Sequence, residues 1–199
     1  MQIRFLASLL ILVFFIGACS EEKSSGAEKT GNDSALNQTF FPVTEYIRGQ
    51  LREIDSLPMT PVKIITHNGN HDSTWMKKED IRPFAQPFLY PEIDTINLKH
   101  LFTEKSFLDQ TIDAFTFSYD PKDELPDTLQ IKRWDVYIDP KKNSIKRIYI
   151  IKEINIAGVK QTLQLTWKPY QWCKITTITE QPGKQPDIKE ELMKWDFTD

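Results

Sequence analysis

Residues 145–179, IKRIYIIKEINIAGVKQTLQLTWKPYQWCKITTIT, determine the fold class. The segment 145–154 is rich in isoleucine, which favours a β-strand. Ile148 and Ile150 lie on one face of this strand, while Tyr149 and Ile151 lie on the other. Because both faces carry apolar side chains, we expect the strand to be central in its sheet.

Two more strands follow within the same stretch. The pair Ala157-Gly158 marks a turn, and residues 163–167 then alternate apolar with polar side chains. Residues 168–171 form the next turn, and residues 172–179 return. Connections this short place consecutive strands side by side and antiparallel.

The same period of two residues extends in both directions from this stretch. Residues 114–119 alternate aromatic with small side chains, and residues 134–138 repeat the pattern before a turn at 139–143. Met193 and Trp195 share one face of a terminal strand. The chain from about residue 101 onward therefore predicts an antiparallel meander.

An amphipathic helix is predicted upstream of the strands. Pro42 suits its first turn, Leu57-Pro58 ends it, and Gly49 weakens it by about 1 kcal/mol relative to alanine. Apolar residues recur at spacings of three and four, and together they form one buried face: Phe40, Val43, Ile47, Leu51 and Ile54.

A hairpin and a second helix connect this first helix to the meander. Asn68-Gly69 after the β-branched run 62–66 is a strong tight-turn signal, because both central residues of a type I′ turn need positive φ. Residues 77–89 carry a helical pattern, which Pro83 and Pro87 shorten or break.

These elements predict one α+β domain at residues 39–199. We expect the N-terminal helix and the short second helix to pack on one face of a curved antiparallel β-meander. No repeat of fixed period and no second linker is visible in this range.

Residues 1–18 are predicted to be a secretory signal peptide. Arg4 supplies the positive charge, residues 5–16 form an apolar run that is short for a membrane-spanning helix, and small residues precede Cys19. Residues 19–38 are polar and of low complexity, which predicts a disordered tether.

The tetrapeptide Ile16-Gly17-Ala18-Cys19 resembles the lipobox of bacterial lipoproteins. The resemblance implies that Cys19 carries the lipid, and that the protein is an outer-membrane lipoprotein of a Gram-negative envelope, held at the membrane through that lipid. Ser20-Glu21-Glu22 is similar to the acidic signal that some lineages place after the lipidated cysteine of surface-exposed lipoproteins. The cell surface and the periplasmic face both remain open as the location of the domain.

Composition excludes several functions. The net charge of -3 leaves no basic excess for nucleic acid. Two cysteines and three histidines exclude a cysteine-rich zinc site and a disulfide scaffold.

His67 and His71 flank a turn, and the acidic cluster of residues 120–127 lacks the spacing of a calcium loop. We expect neither a metal nor a cofactor, and we expect Cys173 to be a small buried hydrophobe.

Aromatic side chains supply the candidate binding residues. Five tryptophans are present, of which Trp134, Trp167 and Trp195 are expected in the core. Tyr170 and Trp172 lie at a hairpin turn, where exposed aromatics could stack on sugar rings or anchor a protein partner.

Three functions remain open. The absence of a catalytic motif favours a non-enzymatic, lipid-anchored envelope protein that binds a protein or glycan partner. The architecture also resembles half-barrel lipoproteins and chaperones, which would imply a periplasmic carrier of lipid or lipoprotein with an apolar cavity between sheet and helices. An envelope hydrolase is the third possibility, since its site would form only in three dimensions.

Overall fold

The computed structural model describes residues 40–196. Within this range the chain forms an open, fully antiparallel sheet of nine strands, in the order β2-β1-β9-β8-β7-β6-β5-β4-β3. The strands are β1 Val62–His67, β2 Asn70–Trp75, β3 Phe102–Asp109, β4 Ala114–Pro121, β5 Ile131–Asp139, β6 Ser144–Ile156, β7 Val159–Lys168, β8 Trp172–Glu180 and β9 Asp187–Lys194.

The meander runs without a break from β3 to β9. The β1–β2 hairpin extends the sheet beyond β9, with Val62 opposite Lys194 in the register. Strands β1 and β9, the first and last in the described part of the chain, are therefore neighbours, and β2 and β3 form the two edges. An antiparallel sheet with few helices agrees with the predicted fold in its coarse form.

Within residues 40–196, three short helices and one longer helix connect or cover the strands. Helix α1 spans Val43–Ser56. A 3-10 helix at Lys78–Asp80 is followed by α2 at Ile81–Phe84 and α3 at Gln86–Leu89. The predicted apolar face of α1 is confirmed, because every one of its five residues is at most 6 % exposed. The predicted second helix is broken, as expected from its prolines.

The helices cover one face of the sheet, which we call the covered face. The Phe40 ring centroid lies 5.2 Å from that of Tyr119 and 5.4 Å from that of Trp134, and the Phe88 centroid lies 5.5 Å from that of Trp167. Trp134, Trp167 and Trp195 are buried, so their predicted core position is confirmed. Edge-to-face aromatic pairs of this kind add to the free energy gained by burying apolar area.

The opposite face has no helix on it within residues 40–196, and we call it the open face. Side chains alternate between the two faces along each strand. Strand β6 is an interior strand, as predicted, with Ile148 and Ile150 buried on the covered face and Tyr149 half-buried on the open face. Long polar and aromatic side chains shield the open face.

Candidate functional site

A cleft lies on the open face near the turn between β7 and β8. Its volume is about 340 Å³, and its lining includes the predicted candidate Trp172. That volume is at the lower end of the range for small-molecule sites, ~300–1,000 Å³. The other lining residues are Ile112, Tyr137, Lys146, Arg147 and Lys168.

The strand register brings these side chains together. Tyr137 on β5 lies opposite Arg147 on β6, and Lys168 at the end of β7 lies opposite Trp172 at the start of β8. Ile148 on β6 lies opposite Trp167 on β7. Because the two strands are antiparallel, Arg147 lies beside Lys168. Four neighbouring strands therefore contribute side chains to the cleft, and β6 contributes two of them, Lys146 and Arg147.

The cleft pairs each aromatic ring with a cation. The Arg147 guanidinium carbon is 4.3 Å from the ring centroid of Tyr137, and Lys168 Nζ is 5.9 Å from that of Trp172. A cation at such distances from the face of an aromatic ring is attracted by the ring quadrupole. The two rings thus help to position Arg147 and Lys168 at the cleft.

The positive charge of the cleft is only partly balanced. Among the residues that the structure describes, no carboxylate forms an ion pair with Lys146, Arg147 or Lys168. Lys146 Nζ donates to the carbonyl oxygen of Ile112 at 2.6 Å. The cleft therefore presents a local positive potential on a chain of net charge -3.

The nearest acids are already engaged by their own turns. Hydrogen bonds from Thr111 lower the pKa of Asp109, which also attracts Arg147 electrostatically. The amides of Lys142 and Lys141 lower the pKa of Asp139. Both carboxylates therefore have donors other than the cations of the cleft.

Tyr170, the other predicted candidate, lies outside this cleft. It lines a second, larger cleft of about 690 Å³ together with Phe41 and Tyr46. Its side chain is 57 % exposed, its φ of 64° is in the left-handed region, and its amide donates to Gln50 Oε1 at 3.2 Å. A bulky residue in this conformation stores backbone strain, which is common at functional positions.

A buried acid lies beside the first cleft on the open face. Asp135 is 4 % exposed and accepts from Arg133 Nη2 at 3.2 Å and from the Tyr137 hydroxyl at 3.4 Å. Burial raises the pKa of Tyr137, and the charge of Asp135 adds to that effect. Ser118 lies opposite Asp135, and its hydroxyl has no hydrogen-bond partner among the described residues.

Lys152 is a buried cation on the covered face. It is 1 % exposed, and its Nζ donates to the carbonyl oxygens of Pro87 and Tyr90, at the end of α3. Burial lowers its pKa to about 8. The ammonium satisfies carbonyls that a helix end leaves unpaired, which assigns it a structural role.

The other polar candidates are dispersed. His67 pairs with Asp187 at 2.8 Å, whereas His71 contacts Thr66 on the other face of the hairpin. Asp120 pairs with Lys105 and Arg133. Cys173 is fully buried, and burial raises its thiol pKa. Within residues 40–196, no group of three or more acidic, histidine or cysteine side chains could hold a metal ion.

Cys19 and the segment Ser20-Glu21-Glu22 lie outside the described residues. Between residues 40 and 196, no helix is long and apolar enough to cross a membrane. Comparison of the chain with protein-family models, with curated proteins and with solved structures finds no match.

Proposed function

We propose that this protein is a non-enzymatic module of the bacterial cell envelope that holds a glycan or protein partner on its open face. The observation that carries the proposal is the cleft in which Tyr137 and Trp172 each pair with a cation. Such a site offers ring faces for stacking and N–H donors for charged or polar groups. Aromatic and arginine side chains are also the residue types that dominate binding energy at protein interfaces.

The membrane attachment is part of the same proposal. The lipobox-like sequence supports a lipid on Cys19, and the polar residues 20–38 would keep the domain clear of the lipid headgroups. More than one acyl chain is needed for durable attachment, because a single chain binds a bilayer only marginally. The acidic Ser20-Glu21-Glu22 segment supports display on the cell surface of a Gram-negative outer membrane.

The alternative is a periplasmic carrier of lipid or lipoprotein, for which a curved sheet under helices would need an apolar cavity. The packing of the covered face favours the binding module instead. The rings of Phe40, Tyr119 and Trp134 contact one another, and the ring of Phe102 contacts that of Trp134, with centroids from 4.6 Å to 5.4 Å apart. An acyl chain would have to displace these rings.

A binding comparison on the full chain, purified in detergent, tests the proposed function. Glycans and proteins from the outer membrane are presented to the wild type and to Trp172→Ala, with Tyr90→Ala as the control. Tyr90 is an aromatic side chain outside the cleft and is 57 % exposed, whereas Trp172 is half-buried. We expect Trp172→Ala to lose a partner that Tyr90→Ala retains. Equal binding by all three proteins would contradict the proposal.

A further inference from the structure

A β-bulge in β6 brings two consecutive cations to the first cleft. Tyr137 on β5 lies opposite Arg147 on β6. The next pair along the two strands is Ile138 with Ile145, which leaves Lys146 as an extra residue in β6. In a regular strand, consecutive side chains point to opposite faces, but a bulge re-aims the side chains beside it. Lys146 and Arg147 therefore both line the first cleft.

The first cleft has an excess of positive charge. Together with Lys168, the described residues that line it include three cations and no carboxylate. Asp109 attracts Arg147 electrostatically from outside this lining, and Asp139 has the same effect on Lys146. Both carboxylates already accept hydrogen bonds within their own turns. An anion bound in the first cleft would therefore face three cations at once.

Three cations in one cleft suit a single acidic group. A carboxylate or phosphate accepts several hydrogen bonds, and a guanidinium binds such a group through two parallel N–H donors. Parts of the wall are apolar, because the lining includes Ile112 and the rings of Tyr137 and Trp172. The C–H groups of a sugar ring pack on aromatic walls of this kind. An acidic sugar matches both the cations and the rings.

The second cleft adjoins the first one. Lys146 and Lys168 line both clefts, so these two side chains lie at the boundary between them. The remaining charged residues of the second cleft are Asp139 and Lys142, one of each sign. The exposed Tyr170 contributes an aromatic ring to it. The second cleft therefore suits neutral sugars better than a second acidic one.

We propose that the first cleft binds the one acidic sugar of an oligosaccharide whose neutral sugars continue past Lys146 and Lys168 into the second cleft. The acidic group is a carboxylate or a phosphate, and it accepts charge-assisted hydrogen bonds from Arg147 and the two lysines. This inference rests on the proposed function and specifies the ligand of the same site.

Calorimetric titration of the full chain, purified in detergent, tests the inference. The probes are cellotriose and two acidic forms of it, whose terminal sugar is glucuronate in one and a phosphorylated glucose in the other. We expect the better acidic form to bind about tenfold more tightly than cellotriose, which corresponds to ~1.4 kcal/mol. Added salt should weaken only the acidic forms. The difference between the two acidic forms identifies the acidic group.

Charge variants test the role of the first cleft. Arg147→Gln and Lys168→Gln should each reduce the advantage of the acidic trisaccharide over cellotriose, because a cation is lost. Lys184→Gln is the matched control, since Lys184 is an exposed cation in the turn between β8 and β9, and it should match the wild type. Thermal unfolding of each variant verifies that it is folded.

A variant of Tyr170 tests the role of the second cleft. Tyr170→Asn removes the ring, and asparagine accepts the left-handed backbone conformation of this position. We expect this variant to bind the acidic trisaccharide more weakly than the wild type does. Its affinity for glucuronate alone should be unchanged, because a single sugar occupies only the first cleft.

Four results would overturn the inference. They are no binding of either acidic trisaccharide, equal or tighter binding of cellotriose, tighter binding of a triglutamate peptide, and an unchanged affinity of Tyr170→Asn for the acidic trisaccharide. The proposed function would survive each of them if Trp172→Ala still lost an envelope partner. A Trp172→Ala variant that retained both its envelope partners and the acidic trisaccharide would contradict both proposals.

Discussion

The buried side chain of Lys152 makes the free energy of unfolding depend on pH. Its pKa is about 8 in the folded chain, below the 10.5 of an exposed lysine, and the cause is burial. Between these two values the unfolded chain binds more protons than the folded chain, so the Lys152 contribution to stability rises with pH. We expect this contribution to increase by about 2 kcal/mol from pH 7 to pH 9.5.

The variant Lys152→Met isolates this contribution. Urea unfolding is measured for both proteins at several pH values, and the difference between the two curves is compared. Burial also raises the pKa of the Cys173 thiol, which makes stability fall as the pH rises in both proteins. Taking the difference between the two curves removes this opposing contribution. A difference that stays constant from pH 7 to pH 9.5 would contradict the assignment.

Gly49 is a glycine within α1 that nothing in the packing requires. An added Cβ would have only Arg52 Nη2 nearby, at 3.8 Å, which is an ordinary contact. We expect Gly49→Ala to stabilise the protein by about 0.5–1 kcal/mol, because alanine loses less backbone entropy in a helix. The midpoint of urea unfolding should rise, whereas a lower midpoint would reveal a close contact at this position.

Helix α1 is held by its buried face rather than by its own hydrogen bonds. Ile47 is 0 % exposed, while Arg52 on the same helix is exposed. Ile47→Ala should cost about 2–5 kcal/mol through lost transfer free energy and a cavity. Arg52→Ala should change stability by less than about 0.5 kcal/mol. Similar losses in the two variants, measured by urea unfolding, would contradict the described packing.

The elements that sequence periodicity predicts are those that depend on nearby residues. The face of α1, the Asn68-Gly69 turn and the broken second helix follow from spacing, turn chemistry and proline, and all three are present. Strand order is different. The pairing of β1 with β9 joins residues more than a hundred positions apart, and no local pattern encodes that contact.

Burial along β4 shows a second limit of periodicity. The aromatic positions of residues 114–119 suggest the buried face, yet Phe115 is 45 % exposed while Thr116 is 1 % exposed. Tyr119 is buried because Phe40 covers it, whereas Phe115 lies near the end of the strand. On the open face, the long side chains of neighbouring strands bury Thr116, which alternation alone does not reveal.

The candidate site could be predicted only in part. The turn at residues 168–171 and its aromatic neighbours identified Trp172, which lines the cleft. Arg147, Lys168 and Tyr137 were missed as a group, because their proximity depends on the register of four strands. The sequence feature that could identify these residues is a cation beside an aromatic residue on successive predicted strands.

At the scale of the whole molecule, we propose that a lipid on Cys19 holds the binding domain at the membrane. Treatment of intact cells with a protease should cleave a tagged form of the protein, because Ser20-Glu21-Glu22 resembles a surface-export signal. A matched variant, with Glu21 and Glu22 replaced by glutamine, should remain protected until the cells are lysed. Protection of the wild type on intact cells would place the domain in the periplasm and would contradict the proposed display on the cell surface.

Hydroxyl-radical footprinting of the aromatic side chains tests the central claim, that the open face is the occupied surface. Modification is compared between the protein in its native outer membrane and the protein purified in detergent. We predict that Tyr137 and Trp172 lose reactivity in the native membrane, while Tyr90, outside the cleft, does not. Equal reactivity of Tyr137 and Trp172 in both preparations would contradict a partner on the open face.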